Sequence, residues 1–317
     1  MQAFEYASPS TVKEAVAMLG STWADAAPLA GGTDLLSLMK DYVMSPKRVV
    51  NIKGIKELGG ISAKSGGLRI GANVTLDELA SSPALRAYPS LRTAALGVAS
   101  PQIRNMGTVG GDLCQRPRCW YFRQGHGLLA MKGGKSLVVG GENKYHAIFG
   151  NGPAKFVSAS SLGPALVALG AKLTVAGPSG TRTVDAAKFF VDPKSDTERE
   201  IALAPNELVT EVLVPGGARN ATYEVRHKEA LDWPLVTASV AMGKDGARIV
   251  LGHVATTPYW AEEASKMAAG SRGTDAELEK IAEAAVAGAK PLSQNVYKVH
   301  LAKVAVKRAM KAAMARA

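Results

Sequence analysis

The chain of 317 residues has 38 Lys and Arg against 27 Asp and Glu, a net charge of +11, and 47% hydrophobic residues. This length and composition predict a globular protein of two or three domains. Two cysteines provide no disulfide framework, so we expect a reducing compartment, the cytoplasm, with a co-exported periplasmic complex as the alternative. The first residues show no basic stretch before an apolar run, and nowhere do 18 apolar residues follow one another. We therefore expect neither a secretion signal nor a membrane span.

The first part of the chain predicts short helices and strands. Thr11 and Glu14 have capping-box spacing before an apolar stripe that stops at Gly20, which predicts a helix. "AAPLAGGTDLLSLMKD" follows, with a short apolar segment, a Gly-Gly turn and a second apolar segment. "KRVVNIKGI" and "LRIGANVT" are typical of short strands, and "LDELASSPALRAYPSLRTAALGVAS" of helical pieces broken at Pro83 and Pro89.

The second part predicts a boundary and a further domain. "SSLGPALVALGAKLTVAG" is typical of a helix feeding a strand. A polar connection with several prolines then leads to a predicted strand at 208–214, and we place the domain boundary in this connection. Strands at 221–227, 236–242 and 248–255 are predicted to precede Ala-rich helices from Ala261 onward.

The end of the chain is basic and holds no acidic residue. The positions are Lys298, Lys303, Lys307, Arg308, Lys311 and Arg316. Such a helix can bind nucleic acid, an anionic membrane or an acidic partner, or it can be a solvated face whose apolar residues cover the domain. We favour the solvated face and predict no nucleic-acid partner, because neither interleaved aromatic residues nor a nucleic-acid motif accompanies the charges.

Two separated Gly-Gly turns, Gly31-Gly32 and Gly110-Gly111, precede small polar or acidic residues. They fit neither standard nucleotide motif: a Walker A loop would need glycine where the chain has Leu129, and a GxGxxG sequence after a strand is missing. Consecutive glycines let backbone N–H groups approach an anion closely. Two such turns from two lobes suit a diphosphate. Either turn alone is also typical of an ordinary β-hairpin without a ligand.

The segments "AGGTDLLSLMKD", "IGANVTLDELASSP" and "VASPQIRNMGTVGGDL" occur in the order and spacing of a known family. The chain resembles the FAD-binding medium subunit of the molybdenum hydroxylases, the family of xanthine dehydrogenase, aldehyde oxidoreductase and carbon monoxide dehydrogenase. The resemblance includes "FEYASPSTVKEAVAML", "LAPNELVTEVLVP" and "YKVHLAKVAVKRAM", and so covers nearly the whole chain.

The resemblance implies an α+β fold: a two-lobed FAD-binding domain of the vanillyl-alcohol-oxidase (PCMH) type and a small α+β C-terminal domain. The first lobe would span residues 1–56, and the second lobe 57–178 with an insertion loop at about 113–150. A linker at 179–205 would precede the C-terminal domain at 206–317.

The resemblance also implies an FAD-dependent oxidoreductase subunit that transfers electrons. A large partner subunit would oxidise the substrate at a molybdenum cofactor, and a small partner with 2Fe-2S clusters would deliver the electrons. The chain would pass them to NAD, oxygen or a quinone, and none of its residues would act on the organic substrate. Two alternatives stay open: a flavin-poor assembly or binding subunit with the same fold, and a standalone FAD-dependent reductase.

In the family the two turns clasp the FAD pyrophosphate. The matching positions are Ala30, Gly31, Gly32, Thr33, Asp34 and Leu35 in the first turn and Thr108, Gly110, Gly111 and Asp112 in the second. A carboxylate beside a dianion is unfavourable, so we expect Asp34 to turn away and cap the segment after it. We expect Asp112 to reach a ribose or a backbone N–H.

Two further segments are implied to contact FAD. In "YEVRHKEALDWPLVTASVAM" the candidates for shaping the isoalloxazine pocket are Arg226, Lys228, Asp232 and Trp233, and the alternative is an exposed charged turn. At position 161 the family has an aspartate near the adenosine, whereas this chain has Ser161. One charge-assisted hydrogen bond to FAD would therefore be missing.

The words "QRPRCWYFR" and "KYHAIFGN" resemble an insertion that holds a 4Fe-4S cluster through four cysteines in a subgroup with the periplasmic aldehyde oxidoreductases. Only Cys119 matches one of those cysteines. Cys114 and Cys119 with His126 or His146 would be an unusual set of ligands for a 4Fe-4S cluster. The spacing of the cysteines is not typical of a zinc site. A disulfide between the two cysteines is sterically allowed. We expect no metal here, and we expect "GHGLLAMKGGKSLVVGGENK" to be a flexible Gly-rich stretch.

Overall fold

The structure is a computed structural model that describes residues 1–229 and 231–315. In chain order its strands are β1 (Glu5–Ala7), β2 (Ala26–Leu29), β3 (Arg48–Asn51), β4 (Ile61–Lys64), β5 (Gly67–Gly71), β6 (Met131–Lys132), β7 (Lys135–Ser136), β8 (Lys172–Gly177), β9 (Gly180–Asp185), β10 (Leu208–Pro215), β11 (Arg219–Val225), β12 (Val236–Gly243), β13 (Gly246–Gly252) and β14 (Tyr259–Trp260). Its α-helices are α1 (Val12–Met18), α2 (Leu35–Lys40), α3 (Leu76–Ser81), α4 (Pro89–Leu96), α5 (Pro101–Met106), α6 (Val109–Cys114), α7 (Trp120–Arg123), α8 (Leu162–Leu169), α9 (Ala186–Phe189), α10 (Glu262–Ala269), α11 (Asp275–Val286) and α12 (Tyr297–Met314).

The first lobe is a parallel sheet in the order β1-β3-β2. Parallel neighbours need a crossover, which α1 and α2 supply. The predicted capping box of α1 is present: the Glu14 N–H donates to Thr11 Oγ1 at 3.2 Å, and the Glu14 carboxylate accepts from the Thr11 N–H. The Gly31-Gly32 turn comes directly after β2, at the carboxyl end of a parallel strand, where ligands commonly bind in open α/β sheets.

The second lobe is an antiparallel sheet in the order β4-β5-β10-β8-β9. Its central strand, β10, was assigned from sequence to the C-terminal domain, and the structure places it here instead. Val212 lies opposite Ile70 on one side and Leu173 on the other, and all three are buried in this lobe's core. A start of the C-terminal domain at 206 would therefore cut this sheet in two.

Between β5 and β8 the chain forms the helices that carry the second glycine turn. The predicted breaks are present, because a 3-10 turn begins at Pro83 and α4 begins at Pro89. Thr108 caps α6, which contains Gly110 and Gly111. All residues of α8 are buried between this lobe and the C-terminal domain.

The C-terminal domain is an antiparallel sheet in the order β11-β12-β13-β14 with α10, α11 and α12 packed on it. Strand β12 is buried from Val236 to Met242, since α12 contacts it as well as α8 of the second lobe. The C-terminal sheet is thereby fixed to the second lobe through α8.

The basic residues of α12 mostly face α11. Lys311 pairs with Asp275 at 2.6 Å, and Lys307 pairs with Glu279. The expectation of a solvated position is wrong for Lys298, which is 1% exposed because its ammonium group donates to the backbone carbonyls of Tyr145, His146 and His253. Arg316 lies outside the described residues. The ion pairs between α12 and α11 are consistent with the predicted solvated face, whose apolar residues cover the domain. No helix in the described ranges combines the length and apolarity needed to cross a membrane.

The insertion loop, residues 113–150, is anchored on both sides. Phe122 and Leu128 pack with Leu38 of the first lobe. The Asn143 side chain is fully buried and donates to Ser293 Oγ at 3.0 Å, and its carbonyl oxygen accepts from the N–H of Gln294. The expectation of a flexible stretch is therefore wrong around Asn143, because its buried amide is fixed by partners far away in sequence.

Candidate functional site

A solvent-open cleft with about 1070 Å³ of empty space lies between the sheets of the two lobes. Nine of the residues predicted from sequence line it: Ala30, Gly31, Gly32, Thr33, Asp34, Leu35, Thr108, Gly110 and Gly111. The two glycine turns, separated by almost eighty positions, are therefore brought to one site.

The turns touch each other through Gly31. A β-carbon built on Gly31 would overlap the carbonyl oxygen of Met106, which lies just before the second turn. Gly32 has a φ of 73°, in the left-handed region that favours glycine. Both glycines are thus required by the backbone itself, whether or not a ligand is bound.

The first turn offers free backbone donors. Within the described ranges, no hydrogen bond uses the N–H groups of Gly32, Thr33 or Asp34. Successive unpartnered N–H groups in a turn form a concave anion site. Their position on the cleft fits a phosphate group.

The second turn differs from the expected nest. The N–H of Gly110 donates to the Ala72 carbonyl at 2.8 Å, and the N–H of Gly111 donates to Thr108 Oγ1 at 3.0 Å. Both donors are therefore already used within the protein. Because Thr108 Oγ1 accepts this bond, its hydroxyl hydrogen is free to donate to a ligand. The glycines leave the cleft wall open: a β-carbon on Gly111 would meet only Thr108 Oγ1, at 3.0 Å.

Asp34 does not cap α2, although it stands at the N-cap position. Its carboxylate turns to the insertion loop, where it accepts from the Arg116 N–H at 2.8 Å and pairs with Arg123 at 2.7 Å and Arg118 at 3.2 Å. The capping expectation was wrong because arginines from a distant segment compete for the carboxylate. The negative charge beside the first turn is thereby neutralised.

Asp112 is 5% exposed and does not line the cleft. Its carboxylate accepts from Ser160 Oγ at 2.5 Å, the Leu162 N–H at 3.0 Å and the Ser161 N–H at 3.2 Å. Burial raises the pKa of this carboxyl, and the three donors act in the opposite direction. Asp112 therefore reaches backbone N–H groups and caps α8 from another helix.

Ser161 lines a small cavity of about 290 Å³ at the contact between the second lobe and the C-terminal domain. The same cavity is lined by Gly97, Asp232 and Trp233. Lys228 is exposed and lies outside it, and its backbone N–H donates to the Asp232 carboxylate at 3.2 Å.

Arg226 borders this small cavity. Its guanidinium pairs with Glu224, and both side chains are less than one-tenth exposed. A β-carbon on Gly97, in the cavity wall, would overlap this pair. Burial raises the pKa of the Glu224 carboxyl to about 7, although the Arg226 charge acts to lower it. Arg226 thus lies next to the wall residue Gly97 as one half of a buried ion pair.

The cleft also contains residues that the sequence analysis does not identify as candidates. The Arg199 guanidinium lies 4.1 Å from the centre of the Trp23 ring, and Arg116 pairs with Glu200 at 2.6 Å. Burial lowers the pKa of Arg199 to about 10. Trp23, Arg116 and Arg199 all line the cleft. They come from three segments without a shared motif, so no local pattern marks them.

The two cysteines are free thiols in different places. Cys114 lines the cleft, where burial raises its pKa to about 12. Cys119 lies in another cavity, with its Sγ 3.1 Å from His146 Nε2. Across the described parts of the chain, no three His, Cys, Asp or Glu side chains are grouped so as to hold a metal ion. Because both cysteines are free and line different cavities, the alternative of a disulfide between them is wrong.

Comparison with known proteins gives a consistent result. Residues 2–217 match the family model "FAD binding domain in molybdopterin dehydrogenase", and residues 221–313 match "CO dehydrogenase flavoprotein C-terminal domain". The carbon monoxide dehydrogenase medium chain of Hydrogenophaga pseudoflava is 33% identical, covering 99% of this chain and 98% of the relative. The aldehyde oxidoreductase FAD-binding subunit PaoB of Escherichia coli K12 is 32% identical, covering 96% of each.

Solved structures agree with these matches. Carbon monoxide dehydrogenase from Hydrogenophaga pseudoflava lacking the Mo-pyranopterin moiety matches with a TM-score of 0.77 at 32% identity, covering 99% of this chain and 98% of that one. The predicted α+β fold, an FAD-binding domain followed by a C-terminal domain, is confirmed. The chain therefore belongs to the FAD-binding subunits of the molybdenum hydroxylase family, oxidoreductases of the carbon monoxide dehydrogenase, aldehyde oxidoreductase and xanthine dehydrogenase type, and its cofactor is FAD.

Proposed function

We propose that this chain is the electron-transfer subunit of a molybdenum hydroxylase complex. A large partner subunit holds the molybdenum cofactor, and a small partner with 2Fe-2S clusters delivers the electrons. The chain passes them to an external acceptor, which is NAD, oxygen or a quinone. The relatives support this assignment, since two are named as the medium chain or FAD-binding subunit of such enzymes. The two free thiols favour the cytoplasm as the compartment.

The observation that carries the proposal is the cleft with its unpartnered donors. The N–H groups of Gly32, Thr33 and Asp34 would bind the FAD diphosphate, with the hydroxyls of Thr33 and Thr108 as further donors. Gly111 would keep the wall free of a side chain, whereas Gly110 allows close packing on Ala72, whose β-carbon would lie 3.0 Å from a β-carbon built there. Bound flavin supplies a carrier that takes electrons singly and releases them as a pair.

We assign the isoalloxazine end to the small cavity between the second lobe and the C-terminal domain. Asp232 and Trp233 line it, and Arg226 lies next to its wall residue Gly97. Ser161 lines the same cavity, so this assignment departs from the expectation that position 161 lies near the adenosine. A fixed positive charge near the ring favours its reduced, anionic form. The arginine is held by Glu224, so its guanidinium keeps one orientation. Ser161 leaves the α8 terminus without its own carboxylate, but Asp112 supplies one there.

We further propose that the insertion loop descends from the type that carries a 4Fe-4S cluster, and that it holds none here. Cys119 is the remaining counterpart of the cluster ligands, and its neighbour is His146 rather than another thiol. A 4Fe-4S cluster needs four ligands, usually thiolates. Iron analysis of the purified chain tests this: fewer than about one iron per chain is expected, and about four would contradict it.

An absorbance spectrum of the purified full-length chain tests the function. Bands near roughly 370 and 450 nm are expected for bound oxidised flavin. A chain that stays colourless after FAD titration would instead be a flavin-poor assembly or binding subunit. Co-purification with a large and a small subunit separates the proposed subunit from a standalone reductase.

A matched pair of glycine variants locates the diphosphate. Gly111→Val places a side chain on the cleft wall, where it meets only Thr108 Oγ1 within the protein. Gly54→Val is the control, because nothing lies within 4 Å of a β-carbon there and Gly54 is outside the cleft wall. We expect Gly111→Val to lose FAD and Gly54→Val to keep it at one per chain. Retention of FAD by both variants would show that the diphosphate binds elsewhere.

A further inference from the structure

The second glycine turn offers few donors to a diphosphate. The N–H groups of Gly110 and Gly111 are bonded within the protein, whereas the first turn has unpartnered N–H groups at 32–34 within the described ranges. A diphosphate is an anion, and a buried anion needs hydrogen-bond donors or positive charges around it. Further donors must then come from another part of the cleft wall, where Arg116 and Arg199 lie.

Arg199 lies in the cleft wall with unused donors. Its guanidinium carbon is 4.1 Å from the centre of the Trp23 ring, and its side chain is 10% exposed. Stacking on an aromatic ring fixes the plane of a guanidinium and leaves its edge free to donate. Within the described residues its nitrogens make no hydrogen bond, and the Glu200 carboxylate lies 3.8 Å from Nε. Of these nitrogens only Nε is enclosed, so the two Nη atoms are open to a ligand.

Arg116 lies beside Arg199 in the same wall. Its Nε pairs with Glu200 Oε1 at 2.6 Å, so two arginines share one carboxylate. Its backbone N–H donates to the Asp34 carboxylate at 2.8 Å, which connects this residue to the first turn. Among the described residues its Nη atoms make no hydrogen bond, and they too are not enclosed. Arg116 therefore adds a second guanidinium with free donors.

The cluster around these two side chains is positive. It contains four arginines and the two carboxylates with which they pair: Arg116, Arg118, Arg123, Arg199, Asp34 and Glu200. A third carboxylate, Asp112, lies near Arg118 but accepts from three donors of its own. Glu207, another carboxylate of the cleft wall, is paired with Arg182 at 2.7 Å. At least one positive charge of the cluster is therefore uncompensated, which favours an anionic ligand.

Arg199 is charged at neutral pH and close to the first turn. Burial and the Arg116 charge lower its pKa to about 10, while the charges of Glu200 and Asp34 act to raise it. A largely buried guanidinium without a full set of partners is costly. A missing anionic ligand accounts for this arrangement.

We propose that Arg116 and Arg199 bind the FAD diphosphate and supply donors that the second glycine turn does not offer. This inference rests on the binding of FAD in the cleft, as in the function proposed above. A planar guanidinium can donate two parallel hydrogen bonds to a phosphate, and the unpartnered Nη atoms of both side chains suit this role.

Titration of the flavin-free full-length chain with FAD, followed by flavin fluorescence, tests the proposal. We expect Arg199→Gln to weaken FAD binding at least about tenfold, because a charge-assisted hydrogen bond is lost. Arg199→Lys keeps the charge and should lose less affinity. Arg69→Gln is the control, since Arg69 pairs with Glu211 at 2.6 Å in the second lobe and lies outside the cleft wall. It should change FAD affinity less than about threefold.

The outcomes separate this inference from the proposed function. Wild-type FAD affinity in Arg199→Gln, or an equal loss in Arg69→Gln, would overturn the arginine assignment alone. A wild-type chain that binds no FAD would overturn the assignment together with the proposed function. If urea unfolding shows that flavin-free Arg199→Gln has lost its fold, Arg116→Gln takes its place, with the same tenfold loss expected.

ADP tests whether the arginines bind a different nucleotide. We expect the FAD-loaded chain to bind no ADP through Arg199, because FAD already occupies the guanidinium groups. ADP binding to the FAD-loaded chain that is lost in Arg199→Gln would overturn the proposal, since the arginines would then hold a second diphosphate.

Discussion

Asp34 and Arg123 form a 2.7 Å ion pair that joins the first glycine turn to the insertion loop. Both side chains are mostly buried, at 14% and 16% exposure. The insertion loop thus neutralises a carboxylate beside the first glycine turn, where we propose that the FAD diphosphate binds. The loop therefore supports the first turn.

The ion pair predicts a loss of stability when it is broken. Arg123→Met should lower the free energy of unfolding by about 2 to 3 kcal/mol, because a largely buried carboxylate loses a partner. Lys47→Met is the control, since Lys47 pairs with Asp25 on the exposed surface of the same lobe and should cost less than about 1 kcal/mol. Urea unfolding measures both, and equal losses would contradict a special role for the Asp34 pair.

Gly31 predicts a steric result. In Gly31→Ala the new β-carbon would overlap the Met106 carbonyl oxygen, so the two turns must separate. We expect unfolding to become easier by more than about 2 kcal/mol and FAD retention to fall. Gly66→Ala controls for the general effect of a loop alanine, as nothing lies within 4 Å, although its φ of 75° adds strain. A Gly31→Ala protein as stable as the wild type with full FAD would show that the turns do not touch.

Asp112 predicts a graded capping effect on α8. Asp112→Ala leaves the N–H groups of Ser161 and Leu162 without their acceptor and should destabilise the chain by about 1 to 3 kcal/mol. Asp112→Asn keeps one acceptor oxygen and should recover part of the loss. Thermal unfolding of the two variants decides the matter: an asparagine variant no better than the alanine variant would exclude capping as the main role.

Two buried histidines predict a stability that falls in acid. Burial, with the Lys298 charge, lowers the pKa of His146 to about 4 and of His253 to about 3, from an ordinary value of 6.5. Between pH 6.5 and about 4 the unfolded chain binds protons that the folded chain does not. Below pH 6.5 each histidine should contribute a loss of about 1.4 kcal/mol per pH unit. The Glu224 carboxyl, whose pKa is raised to about 7, acts with the opposite sign between pH 7 and 4.5 and offsets part of this loss.

Urea unfolding at pH 7, 6 and 5 measures this slope. His253→Asn removes one of the two groups and should reduce the slope by about 1.4 kcal/mol per pH unit over this window. His300→Asn, at an exposed position of α12, should leave it unchanged. If His253→Asn gives the wild-type slope, then His253 is not the group that titrates.

The sequence predicts well where the interactions are local. The Thr11–Glu14 capping box and the breaks at Pro83 and Pro89 follow from residues within a few positions of one another. Consecutive glycines mark the two turns as a diphosphate site, the family resemblance assigns that diphosphate to FAD, and the structure brings the turns to one cleft. What the resemblance could not reveal is that the N–H groups of Gly110 and Gly111 are already bonded.

Long-range contacts explain the remaining errors. Asp34 has a capping position in sequence, but arginines more than eighty residues away compete for its carboxylate. Strand β10 follows a proline-rich connection that is typical of a domain boundary, yet its partners β5 and β8 lie far upstream. Trp23 and Arg199 are joined only by the fold. None of these long-range contacts can be detected in a short segment of the sequence.

The position of β10 also sets an order of events during synthesis. Leu208 and Val209 of this strand line the cleft, and the strand fills the gap between β5 and β8. A nascent chain that ends before residue 208 would expose the edges of both neighbours, which are templates for aggregation. The ribosome must therefore release about two thirds of the polypeptide before the second lobe can close and the cofactor can be captured.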